Sequence, residues 1–203
     1  MLRTLGVLGG MGPLATASFM NQVIALSPAK NDQEHIPMFI RNIPQIPDRT
    51  KFLMGLEDEN PFFELKKGFK ELTSLGVSCI VIPCNTAHYW YDALTKNADV
   101  HTISIVKSVI KQVKATGKQK VGILATTATL NMGIYQNAFK QHNIDFVEPN
   151  TQQQAAIMDG ITAVKAGDLN KGRHLLSKAY DLMLAQGADC VLFGCTEIPL
   201  VLN

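Results

Sequence analysis

The feature that most restricts how this chain can fold is an internal repeat. A glycine and two cysteines of the first half recur 111 positions later: Gly76, Cys79 and Cys84, then Gly187, Cys190 and Cys195. In each set the glycine suits the end of a helix, an apolar strand follows, and the second cysteine stands just past that strand. Two generic βα units could give this pattern, but equal offsets with matching strands and turns favour two homologous lobes that face each other.

Short, continuously apolar segments alternate with longer amphipathic ones, which is typical of parallel sheets covered by helices on both faces. The predicted strands are 5–8, 38–43, 79–82, 103–105, 121–124, 145–147 and 190–193. The predicted helices are 13–26, 61–75, 86–96, a segment ending at 116, 132–142, 152–166 and 171–186. We therefore predict an α/β fold of two pseudo-symmetric lobes, each a mostly parallel sheet flanked by helices. The predicted domains are 1–98 and 99–199, with 200–203 returning towards the first.

Composition and charge argue against several classes of protein. The net charge is +2, and the stretch nearest to a basic run, Lys107–Lys120, has its lysines spaced along a predicted helix and its exit, so neither nucleic-acid nor membrane binding is expected. No segment has the roughly 18 to 20 uninterrupted apolar residues that a membrane span needs. The chain opens on a strand pattern without the features of a secretory leader, so we expect a cytoplasmic protein. Four cysteines are too few for a disulfide scaffold, and we expect free thiols.

Cys84 and Cys195 have positions that suit chemistry. Ligands of open parallel sheets bind beyond the carboxyl ends of the strands, and both cysteines are predicted there. A helix starting directly after Cys84 would favour the thiolate and lower the thiol pKa. Two such groups, one per lobe, could invert a stereocentre, since one sulfur can remove a proton while the other supplies one to the opposite face. Cys79 and Cys190 lie inside apolar strands, where burial as small hydrophobic residues is the expected role.

Two other kinds of site find weaker support. Zinc sites favour closely spaced cysteine pairs, whereas four residues separate the cysteines within each half, so we expect no metal. The loop Gly9–Gly12 precedes a predicted helix and weakly indicates an anion or nucleotide site, but it lacks the spacing of a dinucleotide-binding motif or a P-loop. Proton transfer between two thiols needs no pyridoxal phosphate, and we expect no cofactor, with the carbanion stabilised by surrounding hydrogen-bond donors.

Three motifs resemble the signatures of the pyridoxal-independent aspartate/glutamate racemase family: GGMGP at 9–13, PCNTAH at 83–88 and GCTEIP at 194–199. The first and third are more similar to aspartate racemases than to the glutamate racemases of cell-wall synthesis. The resemblance extends over residues 5–200. It implies an active site in the cleft between the lobes, a small acidic amino acid as substrate and commonly a homodimer. It also implies that Cys84 and Cys195 are the acid/base pair, with Cys195 acting on the L-enantiomer and Cys84 on the D-enantiomer.

The same resemblance implies that Arg49 and Lys165 bind the substrate carboxylates. A planar guanidinium can bind a carboxylate through two hydrogen bonds, which agrees with that role for Arg49. Further expected substrate contacts are loop residues close to the three motifs or past a strand: Met11, Gly12, Asn85, Thr86, Thr127, Thr196 and Glu197. For Thr126 and Thr129 a capping or turn role is expected. His88 either orients the Cys84 loop or simply begins a helix.

The leading hypothesis is a racemase that interconverts L- and D-aspartate, or glutamate. One alternative is a related enzyme with another acidic substrate, such as a hydantoin racemase, a maleate isomerase or a decarboxylase, although two intact cysteines favour racemisation or isomerisation. Family members usually continue past the position of Asn203 with a strand-turn and a helix that return to the first lobe. A catalytically silent protein that binds dicarboxylates is therefore a third hypothesis.

Overall fold

A computed structural model describes residues 3–202 as an α/β fold with two parallel sheets flanked by helices. The strands are β1 (Leu5–Gly9), β2 (Met38–Asn42), β3 (Cys79–Val81), β4 (His101–Ile103), β5 (Lys120–Ala125), β6 (Asp145–Val147) and β7 (Cys190–Gly194). The α-helices are α1 (Pro13–Leu26), α2 (Arg49–Leu53), α3 (Phe62–Ser74), α4 (Tyr91–Thr95), α5 (Ile105–Thr116), α6 (Thr127–Asn131), α7 (Ile134–Gln141), α8 (Thr151–Lys165) and α9 (Leu169–Ala185). Short 3₁₀ helices cover Asp32–Glu34, Thr86–Trp90 and Ile198–Leu200. The predicted fold class is confirmed.

The two sheets share one strand plan. The first has the order β2-β1-β3-β4 and the second the order β6-β5-β7, and the pairings are parallel. The register matches as well, because Leu5 of β1 pairs with Cys79 and Val121 of β5 pairs with Cys190. The predicted repeat of sequence is therefore a repeat of structure, to which β4 adds a strand in the first lobe.

Each lobe has its own apolar core, which explains why the strands are continuously apolar. In the first lobe, Leu8 and Ile80 pack in one cluster with Leu65 of α3. In the second lobe, Leu124 packs in the cluster of α8 and α9, whereas its neighbour Ile123 packs in the cluster of α5 and α7. Both faces of the second sheet are thus buried. None of the described helices is long and apolar enough to cross a membrane.

Most predicted elements are confirmed to within two residues, and the exceptions have local causes. Ser104 caps α5 by accepting the N–H of Lys107 at 3.3 Å, so the predicted strand at 103–105 ends at Ile103 instead. The helix predicted over 86–96 is divided into a 3₁₀ helix, Thr86–Trp90, and α4.

Two short helices were not predicted. Asp48 caps α2 in a stretch predicted to be a loop. Thr126 caps α6, and Gly133, with φ of +63°, separates α6 from α7. A helix starting at Met132 was predicted, so the left-handed turn at Gly133 shifts its first residue to Ile134.

The chain was predicted to divide between residues 98 and 99, with 200–203 returning to the first lobe. Strand pairing places β4 in the first sheet, beside β3. Val201 and Leu202 pack with the core of the second lobe, because the 3₁₀ helix at Ile198–Leu200 follows closely on β7. The domain division stays a prediction, and Asn203 lies outside the described residues.

Candidate active site

The two repeated cysteines meet between the lobes. Cys84 follows β3 and Cys195 follows β7, so each stands at the carboxyl end of a strand of its own sheet. Both are buried, with 5% exposure, and both line one small cavity. The cavity is lined by Met11, Asp48, Arg49, Thr50, Cys84, Asn85, Thr86, Thr126, Lys165, Cys195, Thr196 and Glu197. Its volume is about 10 Å³, the room of roughly one water molecule.

All but two of the predicted site residues line this cavity. The exceptions are Gly12 and Thr127. Gly12 lies at the rim, where its N–H donates to Glu197 Oε1 at 3.0 Å and where it lines an outer pocket. The hydroxyl of Thr127 accepts a hydrogen bond from Gln154 Nε2 at 3.1 Å, so it is engaged with α8 outside the cavity wall.

Glu197 binds Cys195. The Cys195 thiol donates to Glu197 Oε2 at 3.0 Å, while the other carboxylate oxygen accepts the N–H of Gly12. Burial, and then the neighbouring carboxylate, raise the pKa of Cys195 well above its usual value. The lowering of the thiol pKa that was expected from a helix directly after Cys84 is not found at Cys195, because burial and the Glu197 carboxylate raise its pKa. The expected contact of Glu197 with substrate stays a prediction, and its carboxylate accepts from the Cys195 thiol and the Gly12 N–H.

His88 holds the loop that carries Cys84. Its Nδ1 donates to the carbonyl oxygen of Cys84 at 2.8 Å, and its Nε2 accepts the N–H of Ile105 at 3.0 Å. A single neutral tautomer satisfies both bonds. Burial lowers the pKa of His88 to about 4, so the neutral ring is the stable form. Of the two roles open for His88, orientation of the Cys84 loop is the one that these bonds support.

Arg49 is the first residue of α2 and lines the cavity although it is only 8% exposed. Its Nη1 donates to the carbonyl oxygens of Ile46 and Pro47, both at 3.1 Å, which fixes the guanidinium on its own loop. Its Nε is buried and has no hydrogen-bond partner among residues 3–202. Leaving a buried N–H unpaired costs free energy, so the side chain is prepared to bind an acceptor in the cavity.

Lys165 ends α8 and lines both the cavity and the outer pocket, which has a volume of about 340 Å³. Asp48, like Lys165, lines both the cavity and the outer pocket. Although burial alone would raise the pKa of Asp48, that pKa is lowered by the N–H of Lys51 and by the charges of Lys165 and Arg49. The outer pocket therefore brings two carboxylates, Asp48 and Glu197, and two cations, Arg49 and Lys165, beside the cavity.

Three threonine hydroxyls join the lobes beside the cavity. Thr86 of the first lobe contacts Thr126 at 3.0 Å and Thr129 at 2.9 Å, and the last two are 2.9 Å apart. All three residues are buried. Thr126 also caps α6 by accepting the N–H of Thr129, which agrees with the capping role expected for it. Its place in the cavity wall was not predicted.

Two further hydrogen bonds cross between the lobes. The Thr196 hydroxyl donates to the carbonyl oxygen of Pro83 at 3.3 Å. The Tyr135 hydroxyl donates to Oδ1 of Asn85, whose Nδ2 is buried and finds no partner in the part of the chain that the structure describes. The cavity is thus lined by two residues with an unpaired N–H donor, Arg49 and Asn85.

Sequence reasoning missed four residues near the cysteines. Asp48 and Thr50 adjoin Arg49, so the expected role of that arginine could have indicated them. Thr126 follows β5 directly, and its position past the carboxyl end of a strand was an available signal. Tyr135 lies inside α7 among core residues and carries no comparable signal.

This arrangement can move protons. Two sulfurs reach one cavity from different lobes, a carboxylate stands beside one of them, and cationic or N–H groups line the same space. Among residues 3–202, no group of three or more His, Cys, Asp or Glu side chains is placed to hold a metal ion. Paired acid/base groups with fixed donors suit proton removal next to a carboxylate.

Known proteins share this plan. Residues 8–203 match the family model described as Asp/Glu/Hydantoin racemase. The broad specificity amino-acid racemase RacX of Bacillus subtilis is 30% identical over 207 residues, covering 98% of this chain and 87% of that protein. The glutamate racemase of Pseudomonas paraeruginosa is 28% identical over 201 residues, covering 95% and 68%. Among solved structures, the Picrophilus torridus aspartate racemase superposes with a TM-score of 0.91 at 30% identity, over 99% of this chain and 84% of that one. The chain belongs to the Asp/Glu/hydantoin racemase family of isomerases.

Proposed function

We propose that this protein interconverts L- and D-aspartate by cofactor-independent proton transfer between Cys84 and Cys195. The observation that carries the proposal is that both sulfurs line one cavity from opposite lobes, together with the unpaired donors of Arg49 and Asn85. Such donors suit a substrate with carboxylates. The likeness to the aspartate racemase of Picrophilus torridus supports aspartate as the substrate.

In the proposed reaction, one sulfur acts as a thiolate and takes the Cα proton from one face of the amino acid. The electron pair of the broken C–H bond stays on the substrate and spreads into the carboxylate, where N–H donors stabilise it. The opposite thiol then gives its proton to the other face of Cα and becomes a thiolate. Each turnover therefore moves one proton from one sulfur to the other.

Glu197 has a specific part in this scheme. The raised pKa of Cys195 keeps it a thiol at neutral pH, ready to donate a proton. In the direction in which Cys195 must remove a proton, the thiol has to lose its own first, and Glu197 Oε2, at 3.0 Å, is the acceptor already in contact with it. We propose that Glu197 acts as this local base, and that Cys195 serves the L-enantiomer and Cys84 the D-enantiomer.

The test is incubation with L-aspartate in deuterium oxide, followed by polarimetry and by proton NMR of the Cα hydrogen. Racemisation with deuterium incorporation is expected for the unmodified protein. Cys84→Ser and Cys195→Ser should each abolish racemisation, because serine is too weak an acid to exchange roles with a thiolate. Cys79→Ser and Cys190→Ser are matched controls, since they alter the other repeated pair, and they should retain most of the activity.

If the folded protein changes the optical rotation of neither L-aspartate nor D-aspartate, the proposal is wrong. Retention of wild-type rates in Cys84→Ser or Cys195→Ser would overturn the two-base scheme specifically.

A broader substrate range is a second candidate function. The relation to RacX over 98% of this chain favours it, because RacX is described as a broad specificity amino-acid racemase. A panel of L-amino acids in the same deuterium-exchange assay separates the two. Exchange confined to aspartate and glutamate supports a dicarboxylate enzyme, whereas comparable exchange with neutral amino acids supports a broad one.

We also propose that the protein works in the cytosol as a homodimer. A reducing compartment would keep the buried thiols of Cys84 and Cys195 available for proton transfer. Light scattering of the purified protein tests the dimer, and a monomeric mass across the concentrations used for activity would exclude it.

A further inference from the structure

The side-chain amide of Asn85 has a hydrogen-bond partner for its oxygen and none among the described residues for its nitrogen. It follows Cys84 in the chain and is only 2% exposed. Its Oδ1 accepts a hydrogen bond from the Tyr135 hydroxyl. Its Nδ2 is buried and is left without a hydrogen-bond partner among the described residues. Asn85 directly follows Cys84 in the chain, and both residues line the cavity.

Tyr135 reaches Asn85 from the opposite lobe. It lies in α7, is fully buried at 0% exposure and packs beside Phe139 with ring centroids 6.1 Å apart. A Cβ placed on Gly194, directly before Cys195, would stand 3.5 Å from its ring. Burial, and then the neighbouring Cys84 and Cys195, raise the pKa of Tyr135, so its hydroxyl remains a donor across the working pH range.

A phenol that only donates at this point determines which way the amide faces. An asparagine side chain has one acceptor end and one donor end, so a donor fixed against Oδ1 leaves Nδ2 for the cavity. Without the hydroxyl, either end of the amide could face the cavity, and the carbonyl end would repel a carboxylate. The orientation of Asn85 therefore depends on a residue of the other lobe.

We propose that Tyr135 is a positioning residue for substrate binding: it orients the Asn85 amide so that Nδ2 donates to a substrate carboxylate beside Cys84. This inference rests on the proposed function, which supplies the carboxylate. Arg49 provides the comparable donor, its buried Nε, from another element of the cavity wall. Tyr135 does not line the cavity, and it acts through Asn85.

The test is Tyr135→Phe, which removes one oxygen atom and keeps the buried ring. We expect KM for aspartate to rise about tenfold or more while kcat changes about threefold or less, the size expected when a buried polar group loses its partner. Asn85→Ala should raise KM at least as much. In the Asn85→Ala background, Tyr135→Phe should have almost no further effect, because the residue acts through that amide.

Controls separate this role from general loss of structure. Tyr91→Phe removes a hydroxyl that donates to the Thr102 carbonyl oxygen at 2.7 Å, away from the cavity, and KM should not change. Asn85→Asp keeps an acceptor for Tyr135 while replacing the donor by an oxygen, so it should fold and still lose aspartate affinity. Isothermal calorimetry with aspartate reads binding even if turnover is absent.

The outcomes are distinct. Racemisation by the wild type with an unchanged KM in Tyr135→Phe overturns the inference and leaves the proposed function standing. Full additivity of Tyr135→Phe and Asn85→Ala also overturns it, as does wild-type affinity in Asn85→Asp. Absence of both turnover and aspartate binding in the wild type defeats the proposed function and this inference together.

Discussion

Cys195 and Glu197 form a buried pair in which a thiol donates to a carboxylate at 3.0 Å. A buried carboxylate is costly unless donors surround it, and here one donor is the thiol and the other the N–H of Gly12 from the first lobe. Burial and the neighbouring carboxylate raise the pKa of Cys195, so its thiol stays protonated in the resting state. It therefore stores one proton at one wall of the cavity.

Replacing Glu197 by Gln tests this pair. The amide can still accept the N–H of Gly12, but it is not a base, so we expect kcat to fall about 10- to 100-fold. Because the carboxylate raises the pKa of Cys195, its removal should shift alkylation of Cys195, followed against pH, to lower pH. The exposed Glu59→Gln is the matched control and should behave as the wild type. An unchanged kcat would show that the carboxylate serves only to hold Gly12.

His88 makes a second prediction at the residue scale. Its pKa in the folded state, about 4, lies below the unfolded value of 6.5, so between these pH values the unfolded chain binds a proton that the native chain does not. This contribution to stability is complete above pH 6.5 and is lost as the pH falls towards 4, and it amounts to roughly 3 kcal/mol. His88→Gln lacks it and also loses hydrogen bonds.

We therefore expect His88→Gln to be clearly less stable than the wild type at pH 7 and to approach it as the pH falls towards 4. Urea unfolding at a series of pH values measures this difference. The wild type and His88→Gln carry the same carboxylates, so their contribution cancels when the two free energies of unfolding are subtracted. A pH-independent gap for His88→Gln would contradict the prediction.

At the scale of elements, the strands and long helices could be predicted because burial on both faces makes a strand continuously apolar. Pro13 and Gly76 also marked a helix start and a helix end. The short helices could not be predicted in the same way. α2 and α6 are each one turn or slightly more, and they exist because the side chains of Asp48 and Thr126 cap them. Periodicity carries almost no information over five residues.

The site divides along the same line. Cys84 and Cys195 could be found because the repeat marks both and strand ends mark their position. Tyr135 could not be found from pattern, because its place depends on how the two sheets face each other. Thr127 was chosen over its neighbour Thr126 because a capping role was expected for Thr126, and the sequence does not show that the capping hydroxyl also faces the cavity.

The hairpin of α8 and α9 positions Lys165, and it depends on close helix packing. A Cβ on Gly172 would stand 2.4 Å from Val164 Cγ2 and 3.3 Å from the carbonyl oxygen of Gly160. We expect Gly172→Ala to lower the free energy of unfolding by about 1–3 kcal/mol. Since Val164 adjoins Lys165, KM for aspartate should rise as well. The exposed Arg173→Ala should leave both quantities unchanged, and equal stability of the two variants would contradict this packing.

At the scale of the whole molecule, the lobes meet through polar contacts around the cavity. The threonine triangle, Thr196 with Pro83, and Tyr135 with Asn85 all cross from one lobe to the other. They close around a space of about 10 Å³, whereas an amino acid with two carboxylates is several times larger than one water molecule. Substrate entry therefore requires the lobes to separate or the wall side chains to move.

Alkylation of the four cysteines measures this opening. Cys84 and Cys195 are buried, whereas Cys79 and Cys190 are half-buried, so N-ethylmaleimide followed by peptide mapping should label the first pair more slowly. A mixture of D- and L-aspartate at ten times Kd should slow the labelling of Cys84 and Cys195 by a further factor of about ten. Lysine at the same concentration is the control and should not protect. Equal labelling of all four thiols, with or without aspartate, would contradict a closed site.

The closed cavity also has a consequence for the proposed reaction: the protonation of the two cysteines depends on which enantiomer was bound last. In the proposed two-cysteine reaction, each turnover removes the proton from one sulfur and leaves one on the other, so the protein is then ready for the opposite enantiomer of the one it bound. Returning to the starting form needs exchange with bulk solvent, and a chamber with room for roughly one water molecule exchanges protons slowly. How quickly one enantiomer can be processed repeatedly is then governed by how often the walls part, and not by the bond-breaking step alone.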